Sequence, residues 1–423
     1  VKVLIDGDEA LGRIFARISA ARRSVWITVS FVRLDLPIPG TGRTLLDLLT
    51  DLAARDVDVR ALFWWSEYPG IGSFRGTPEE LASLAKRGVR VKMRWDQVRR
   101  GCHHQKSYVV DGEVAYVGGI NLSAEALSTP HHSNDAFHDL FAEIRGPAVV
   151  DVAANFVQRW NQASETRNRG HAFPSLEAAG DLPESILAPP PDCGQTPVQV
   201  VRTIRKGLYE GRFGWNGGAH DLSAGEASIQ YAVHRWIAAA EQNIYLENQF
   251  LMDVATIDLL AQAAERGVEV VAVVPLQPDP NLLLYPKDEM DQTQAALSRL
   301  AAARRFGLFG LTAEDASERP IYVHSKLMIV DDRILMVGSA NFWPPSFTRD
   351  SELNLCIWDA TLAARTRERL WREHLQEATA AGLDDWRSLA RTSSVRAVPI
   401  DPGHYYRFRG GTTAPWAGVE ESG

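Results

Sequence analysis

Two patterns alternate along the chain. "LLDLLTDLAARD" (45–56) spaces its apolar residues three and four apart, the period of an amphipathic helix. "VDVRALFWW" (57–65) and "VEVVAVVP" (268–275) are instead short runs rich in β-branched and aromatic residues, as strands are. Further amphipathic helices are predicted within "RGPAVVDVAANFVQRWNQ" (145–162) and "DATLAARTRERLWREHL" (359–375). Helices alternating with such strands predict a layered α/β fold.

The pattern is written twice. "RRSVWITVSF" (22–31) has a counterpart in "EQNIYLENQF" (241–250), and "LAARDVDVRALFW" (52–64) in "QAAERGVEVVAVV" (262–274). The strongest match is "HHQKSYVVDGEVAYVGGIN" against "VHSKLMIVDDRILMVGSAN". His104, Lys106, Asp111, Gly118 and Asn121 recur as His324, Lys326, Asp331, Gly338 and Asn341, with a constant offset of 220. Between the copies, prolines at 189, 190 and 191 exclude helix and central strand. The expected division is an N-terminal lobe over 1–175, a Pro-rich linker over 176–197, and a C-terminal lobe over 198–423 ending in a loop-rich tail. The segment 206–226, rich in Gly and aromatics, reads as irregular, either lining a binding site or forming a surface insertion.

Composition narrows the class. With 423 residues, 45% hydrophobic and 23% charged, the chain is ordinary for a globular protein of more than one domain. A net charge of −8 argues against a surface built to hold nucleic acid. No apolar run approaches a membrane span, and no signal peptide is visible. The expected location is cytoplasmic or peripheral to a membrane, with secretion left open because the first residue is Val1 rather than Met. Three scattered cysteines, Cys102, Cys193 and Cys356, form neither a zinc pattern nor a disulfide framework and read as buried thiols.

The repeated motif carries the candidate chemistry. In a strand, residues i and i+2 share a face, so His104 and Lys106 project together, as do His324 and Lys326. One such pair is a weak signal. Two copies in a duplicated unit, packed about a pseudo-twofold axis, would bring two imidazoles, two ammonium groups and two Asn amides to one place. That set suits a phosphate diester, whose transfer requires positioning and charge stabilisation. One imidazole attacks phosphorus while the other protonates the leaving alkoxide and later activates the acceptor. Histidine titrates at ~6.5, so modest shifts separate the two roles. Each ring needs an acid behind it, and Asp139 and Glu352, which start matching strands, are the candidates. Asp111 and Asp331, at strand ends before turn-like residues, read as structural. "HHSNDAFHD" (131–139) has the residue types to hold a metal, but the favoured reading is the loop before a catalytic strand. No metalloprotease helix, Walker loop or nucleophile elbow is present.

These residues resemble the phospholipase D superfamily, whose signature is a paired His-x-Lys-x4-Asp. "YLENQF" (245–250), "QVVRTI" (199–204) and "FHDLFAEIRGPAVVDVAANFVQRWN" (137–161) further resemble phospholipases D acting on phosphatidylcholine-like lipids. The resemblance implies a duplicated two-lobed fold, each lobe a mixed β-sheet flanked by helices, with one active site at the lobe interface and neither cofactor nor catalytic metal. It implies His104 as nucleophile and His324 as general acid and base. Lys106, Lys326, Asn121 and Asn341 would hold the phosphate, Asp139 and Glu352 would support the histidines, and Ser339, the counterpart of Gly119, would be an extra donor. No lipid-binding C2, PX or PH lobe is recognised, and the tail 401–423 has no first-half counterpart.

The leading functional expectation is a monomeric phospholipase D that hydrolyses or transphosphatidylates phospholipids at a membrane surface, with water or a small alcohol as acceptor. A phosphatidylserine or cardiolipin synthase-like phosphatidyltransferase is the first alternative. A phosphodiesterase or nuclease is the second, disfavoured by the acidic balance. A catalytically silent binding module is the third, disfavoured by two complete motifs.

Overall fold

The computed structural model describes all residues except 66–73, 75, 97–100, 130, 133–134, 164–179, 210–211, 215–218, 280–281, 283–284, 314–318, 377–379, 391–394 and 407–423. The tail expectation therefore lies largely outside the described residues, as does the start of the linker.

Local sequence sets the elements. The helix Leu45–Ala54 begins at Thr44, whose hydroxyl accepts from the Asp47 N–H while the Asp47 carboxylate accepts from the Thr44 N–H. This reciprocal cap satisfies donors that a helix start otherwise leaves open. Its buried face is Leu45, Leu46, Leu48, Leu49, Leu52 and Ala53, the spacing seen in the sequence.

The first sheet runs, in spatial order, Lys2–Ile5, Leu140–Arg145, Val114–Gly118, Lys106–Val110, Ser24–Val29, Asp58–Trp64 and Lys92–Asp96. Its first four neighbour pairings are antiparallel and its last two parallel. The second sheet repeats that plan through Val198–Ile204, Glu352–Trp358, Ile334–Gly338, Lys326–Val330, Asn243–Asn248, Glu269–Val273 and Phe306–Thr312, with short strands added at its edges. The parallel pairs need helical crossovers, supplied by Leu45–Ala54 and Pro78–Lys86 in the first half and by Val254–Glu265 and Lys287–Ala301 in the second. Two mixed sheets flanked by helices are thus built to one pattern.

The halves do not fold around separate cores alone. One apolar cluster joins Val117, Leu140, Ala142 and Ile144 of the first sheet to Leu335, Val337, Leu353 and Leu355 of the second, together with Trp160 and Leu370 of the two long helices Val149–Gln162 and Ala360–Leu375. Fully burying each such Val or Leu contributes ~1.5–3 kcal/mol, so the sheet-to-sheet contact is a substantial fraction of the fold's stability. Each half keeps an outer core of its own on the far face of its sheet.

Two expectations are corrected. Segment 206–226 is not wholly irregular: Arg212–Gly214 pairs antiparallel with Ala219–Asp221, and Tyr209 is buried with its hydroxyl donating to Asp96 at 3.0 Å. Cys193 is exposed rather than buried, because it lies in the extended stretch that follows the 3-10 turn Glu184–Ile186; Cys102 and Cys356 are buried, and no disulfide joins the three.

Candidate active site

Each motif histidine stands just before the strand that carries its lysine, Lys106–Val110 or Lys326–Val330. The lysine turns back so that its ammonium donates to the carbonyl of its own histidine, Lys106 Nζ to His104 O at 2.7 Å and Lys326 Nζ to His324 O at 2.5 Å. Each lysine ammonium is thereby tied to the backbone of its own motif histidine.

What brings the two motifs together is a pair of short backbone contacts across the interface. His103 bridges Ser351 and His138 bridges Val323, both in parallel. The His104 and Gln105 amides donate to Ser351 O at 3.0 Å, and the His324 amide donates to His138 O at 2.8 Å. Each motif is thereby held against the residue preceding the other half's acid.

The acids consequently pair crosswise. His104 Nδ1 donates to Glu352, 2.9 Å from Oε1 and 3.1 Å from Oε2, and His324 Nδ1 donates to Asp139 Oδ2 at 2.6 Å. A carboxylate behind Nδ1 fixes the ring's tautomer and orientation. Glu352 also accepts from Ser339 Oγ at 2.5 Å and Ser346 Oγ at 2.6 Å. At the matching position beside Asp139 stands Gly119, where an added Cβ would lie 2.4 Å from Asp139 Oδ1. A side chain there would displace the acid, which is why Ser339 has a glycine counterpart.

Burial pushes the Glu352 carboxyl up to about 7, opposed by Lys106, the two serine hydroxyls and Lys326. Both ammonium groups act on one carboxyl, so the two motifs share one electrostatic site. Burial likewise raises Asp350 to about 6, with Glu352 adding to the effect; its Oδ1 accepts from the Cys102 amide at 2.8 Å. Gln249 Oε1 accepts from Lys326 Nζ at 3.0 Å and from Asn341 Nδ2 at 3.2 Å. Asn121 Oδ1 accepts from the Phe31 amide at 3.4 Å. All eight side chains that the sequence singles out for chemistry are less than a tenth exposed.

Asp111 and Asp331 lie away from this centre. Each has a positive φ, 57° and 53°, in the turn after its motif strand. The Asp111 carboxylate accepts from the amides of Arg22, Arg23 and Ser24, and that of Asp331 from Glu241, Gln242 and Asn243. They tie the motif hairpin to the start of the neighbouring strand in each half.

Some contributors are not evident from the sequence. Ser346 and Gln249 have no recognisable signal beyond the quoted "YLENQF" match for the latter. Asp96, which burial alone would raise, is pulled down to about 2 by Arg159, His103 and Tyr209. Burial and the Arg159 charge hold His103 down at about 3, beside the first motif.

Residues 14–160 and 233–373 match the family described as cardiolipin synthase, PLD-like domain. The chain belongs to this PLD-like family. Among characterised relatives it is 23% identical over 376 residues to Cardiolipin synthase 1 of Staphylococcus epidermidis, covering 87% of this chain and 66% of that protein. It is 24% identical over 376 residues to the Major cardiolipin synthase ClsA of Bacillus subtilis, covering 86% and 67%. The PLD-like chain thus spans about 66% of the length of the relative named first. Among solved structures, phosphatidylserine synthase of Haemophilus influenzae superposes with a TM-score of 0.59 at 14% identity, over 96% of this chain and 88% of that one. This confirms the duplicated two-lobed phospholipase D fold.

The raised Glu352 carboxyl makes a stability prediction for this PLD-like protein. A folded-state pKa of about 7 against 4.5 contributes stability that is fully present below pH 4.5 and lost as pH rises through about 7. Relative to Glu352→Gln, the wild-type protein should lose roughly 3 kcal/mol between pH 5 and pH 8. Urea midpoints of the two proteins across that window check this, and a constant difference would contradict it.

Proposed function

We propose that the chain is a phosphatidyltransferase, moving a phosphatidyl group from a glycerophospholipid to a small or lipid-borne alcohol. The observation that carries this is the crossed arrangement, in which each motif histidine is backed by the other half's acid and both lysines act on Glu352. Phosphoryl transfer of this kind requires a nucleophile, a proton donor and fixed positive charge at one point.

In this mechanism His104 Nε2 attacks phosphorus, forming an N–P bond as the P–O bond to the head group breaks. His324 gives its proton to the departing alkoxide. It then takes a proton from the acceptor hydroxyl, which attacks phosphorus and releases His104. Lys106, Lys326, Asn121 and Asn341 hold the non-bridging oxygens, with Ser339 keeping Glu352 in place. Glu352 stabilises the charge on His104 and Asp139 that on His324. No metal takes part.

Transfer is favoured over the hydrolysis that the sequence put first. The named relatives are cardiolipin synthases, and the superposed structure is a phosphatidylserine synthase. At the site, His324 is flanked by the rings of Phe137 and Tyr322, with centroids 5.6 Å and 6.4 Å away.

With phosphatidylglycerol vesicles as both donor and acceptor, we expect cardiolipin and glycerol to form faster than phosphatidic acid. Phosphatidic acid as the main product would restore the hydrolytic reading. Cleavage of DNA without lipid turnover would reject both.

A further inference from the structure

A second polar cluster is buried between the two halves, outside the chemistry described above. Asp6, at the start of the first helix, His132 and His138 from the loop before the Leu140–Arg145 strand, and Glu373 on the helix Ala360–Leu375 place one ligand-type atom each within 4.8 Å of the others. His132 Nε2 lies 3.0 Å from Glu373 Oε1 and 3.3 Å from Asp6 Oδ2. His138 Nδ1 lies 3.0 Å from Asp6 Oδ1 and 3.4 Å from Glu373 Oε1. Tetrahedral zinc with arms of ~2.0–2.1 Å has edges of about 3.3 Å. Counting both Asp6 oxygens, these four separations lie within a few tenths of an ångström of such an edge, and the remaining ligand atoms lie within 4.8 Å of one another.

Two further observations point to a cation there. Asp6 is fully buried, and its Oδ2, although 3.3 Å from His132 Nε2, receives no well-aligned hydrogen bond among the described residues. A buried carboxylate oxygen left without a donor is costly unless a positive charge offsets it. Behind the cluster, His138 Nε2 stands 3.0 Å from Glu247 Oε2. A carboxylate in that place fixes the ring and turns Nδ1 toward a metal, the arrangement that orients most ligating histidines. A cavity of about 450 Å³, lined by Glu373 with Arg369, Arg372 and Arg396 among others, opens beside the cluster.

We propose that Asp6, His132, His138 and Glu373 bind one zinc ion as a clamp between the halves. Two imidazoles and two carboxylates are a donor set that zinc accepts. Three ligands come from the first half and one from the second, so binding energy becomes energy holding the interface closed. The simpler reading of the same atoms is a set of imidazolium–carboxylate hydrogen bonds with no ion.

The test uses the full chain, stripped with a chelator, dialysed and reloaded with Zn²⁺ or Co²⁺. We expect about one zinc per chain by elemental analysis, a visible tetrahedral spectrum with Co²⁺, and an unfolding temperature raised by about 5 °C or more on reloading. His132→Ala should lose the metal and the temperature shift, while His324→Ala keeps both. His132→Gln, which retains a polar side chain at that point, guards against loss of fold and should also lose the metal. Glu247→Gln should weaken zinc ~10–100-fold. Absence of bound zinc in the wild-type protein, a Co²⁺ spectrum without tetrahedral character, or zinc retained in folded His132→Gln would each overturn the proposal.

Discussion

Glu352→Gln and Asp139→Asn are each expected to lower turnover by about 10²–10⁴-fold, and each through the histidine of the opposite half. The crossed hydrogen bonds predict which step suffers. Loss of the Glu352 charge weakens His104, so formation of the covalent adduct slows. Loss of the Asp139 charge weakens His324, so proton delivery and the later attack by the acceptor slow, and adduct accumulates. Substrate affinity should change little, since neither acid faces the phosphate. Rapid-quench measurement of adduct formation and breakdown separates the two variants. A swapped pattern, with Asp139→Asn blocking formation and Glu352→Gln blocking breakdown, would exchange the roles of the histidines.

The second large effect is the loss of the proposed nucleophile. His104→Ala should reduce turnover by roughly 10⁴–10⁶-fold, because it removes the imidazole assigned to form the N–P bond. His324→Ala should be nearly as slow overall but for a different reason. Its adduct forms, slowly, and then persists for want of a base to activate the acceptor. The two variants therefore look alike in steady state and differ in what remains bound to the protein.

Much of this was legible in the letters. The constant spacing of His104, Lys106, Asp111, Gly118 and Asn121 with their second-half partners gives the duplication, and a two-residue period puts His and Lys on one face. The duplicated sheets follow, because each copy also repeats the flanking strand, helix and strand. The crossing of the acids was not legible. It depends on the bridges His103 to Ser351 and His138 to Val323, contacts between residues far apart in the chain that carry no local signature. Nor does any pattern announce Ser346, which reaches Glu352 only because a five-residue helix, Pro344–Thr348, turns it inward. One segment departs from its expectation. In 206–226, glycine frequency suggested irregular chain, yet Tyr209 finds a buried partner in Asp96 and two three-residue strands pair. His132 and His138 lie, as expected, in the loop before the Leu140–Arg145 strand; that Asp6 and Glu373 stand beside them shows only in three dimensions.

The account rests on the two imidazoles serving a single phosphorus atom. Its most direct test is mass spectrometry of peptides from His324→Ala protein quenched during turnover of a short-chain phospholipid. A phosphatidyl group on the peptide containing His104, absent when His104→Ala is added, is the expected result. A group on any other residue, or no adduct in either protein while turnover continues, would contradict it.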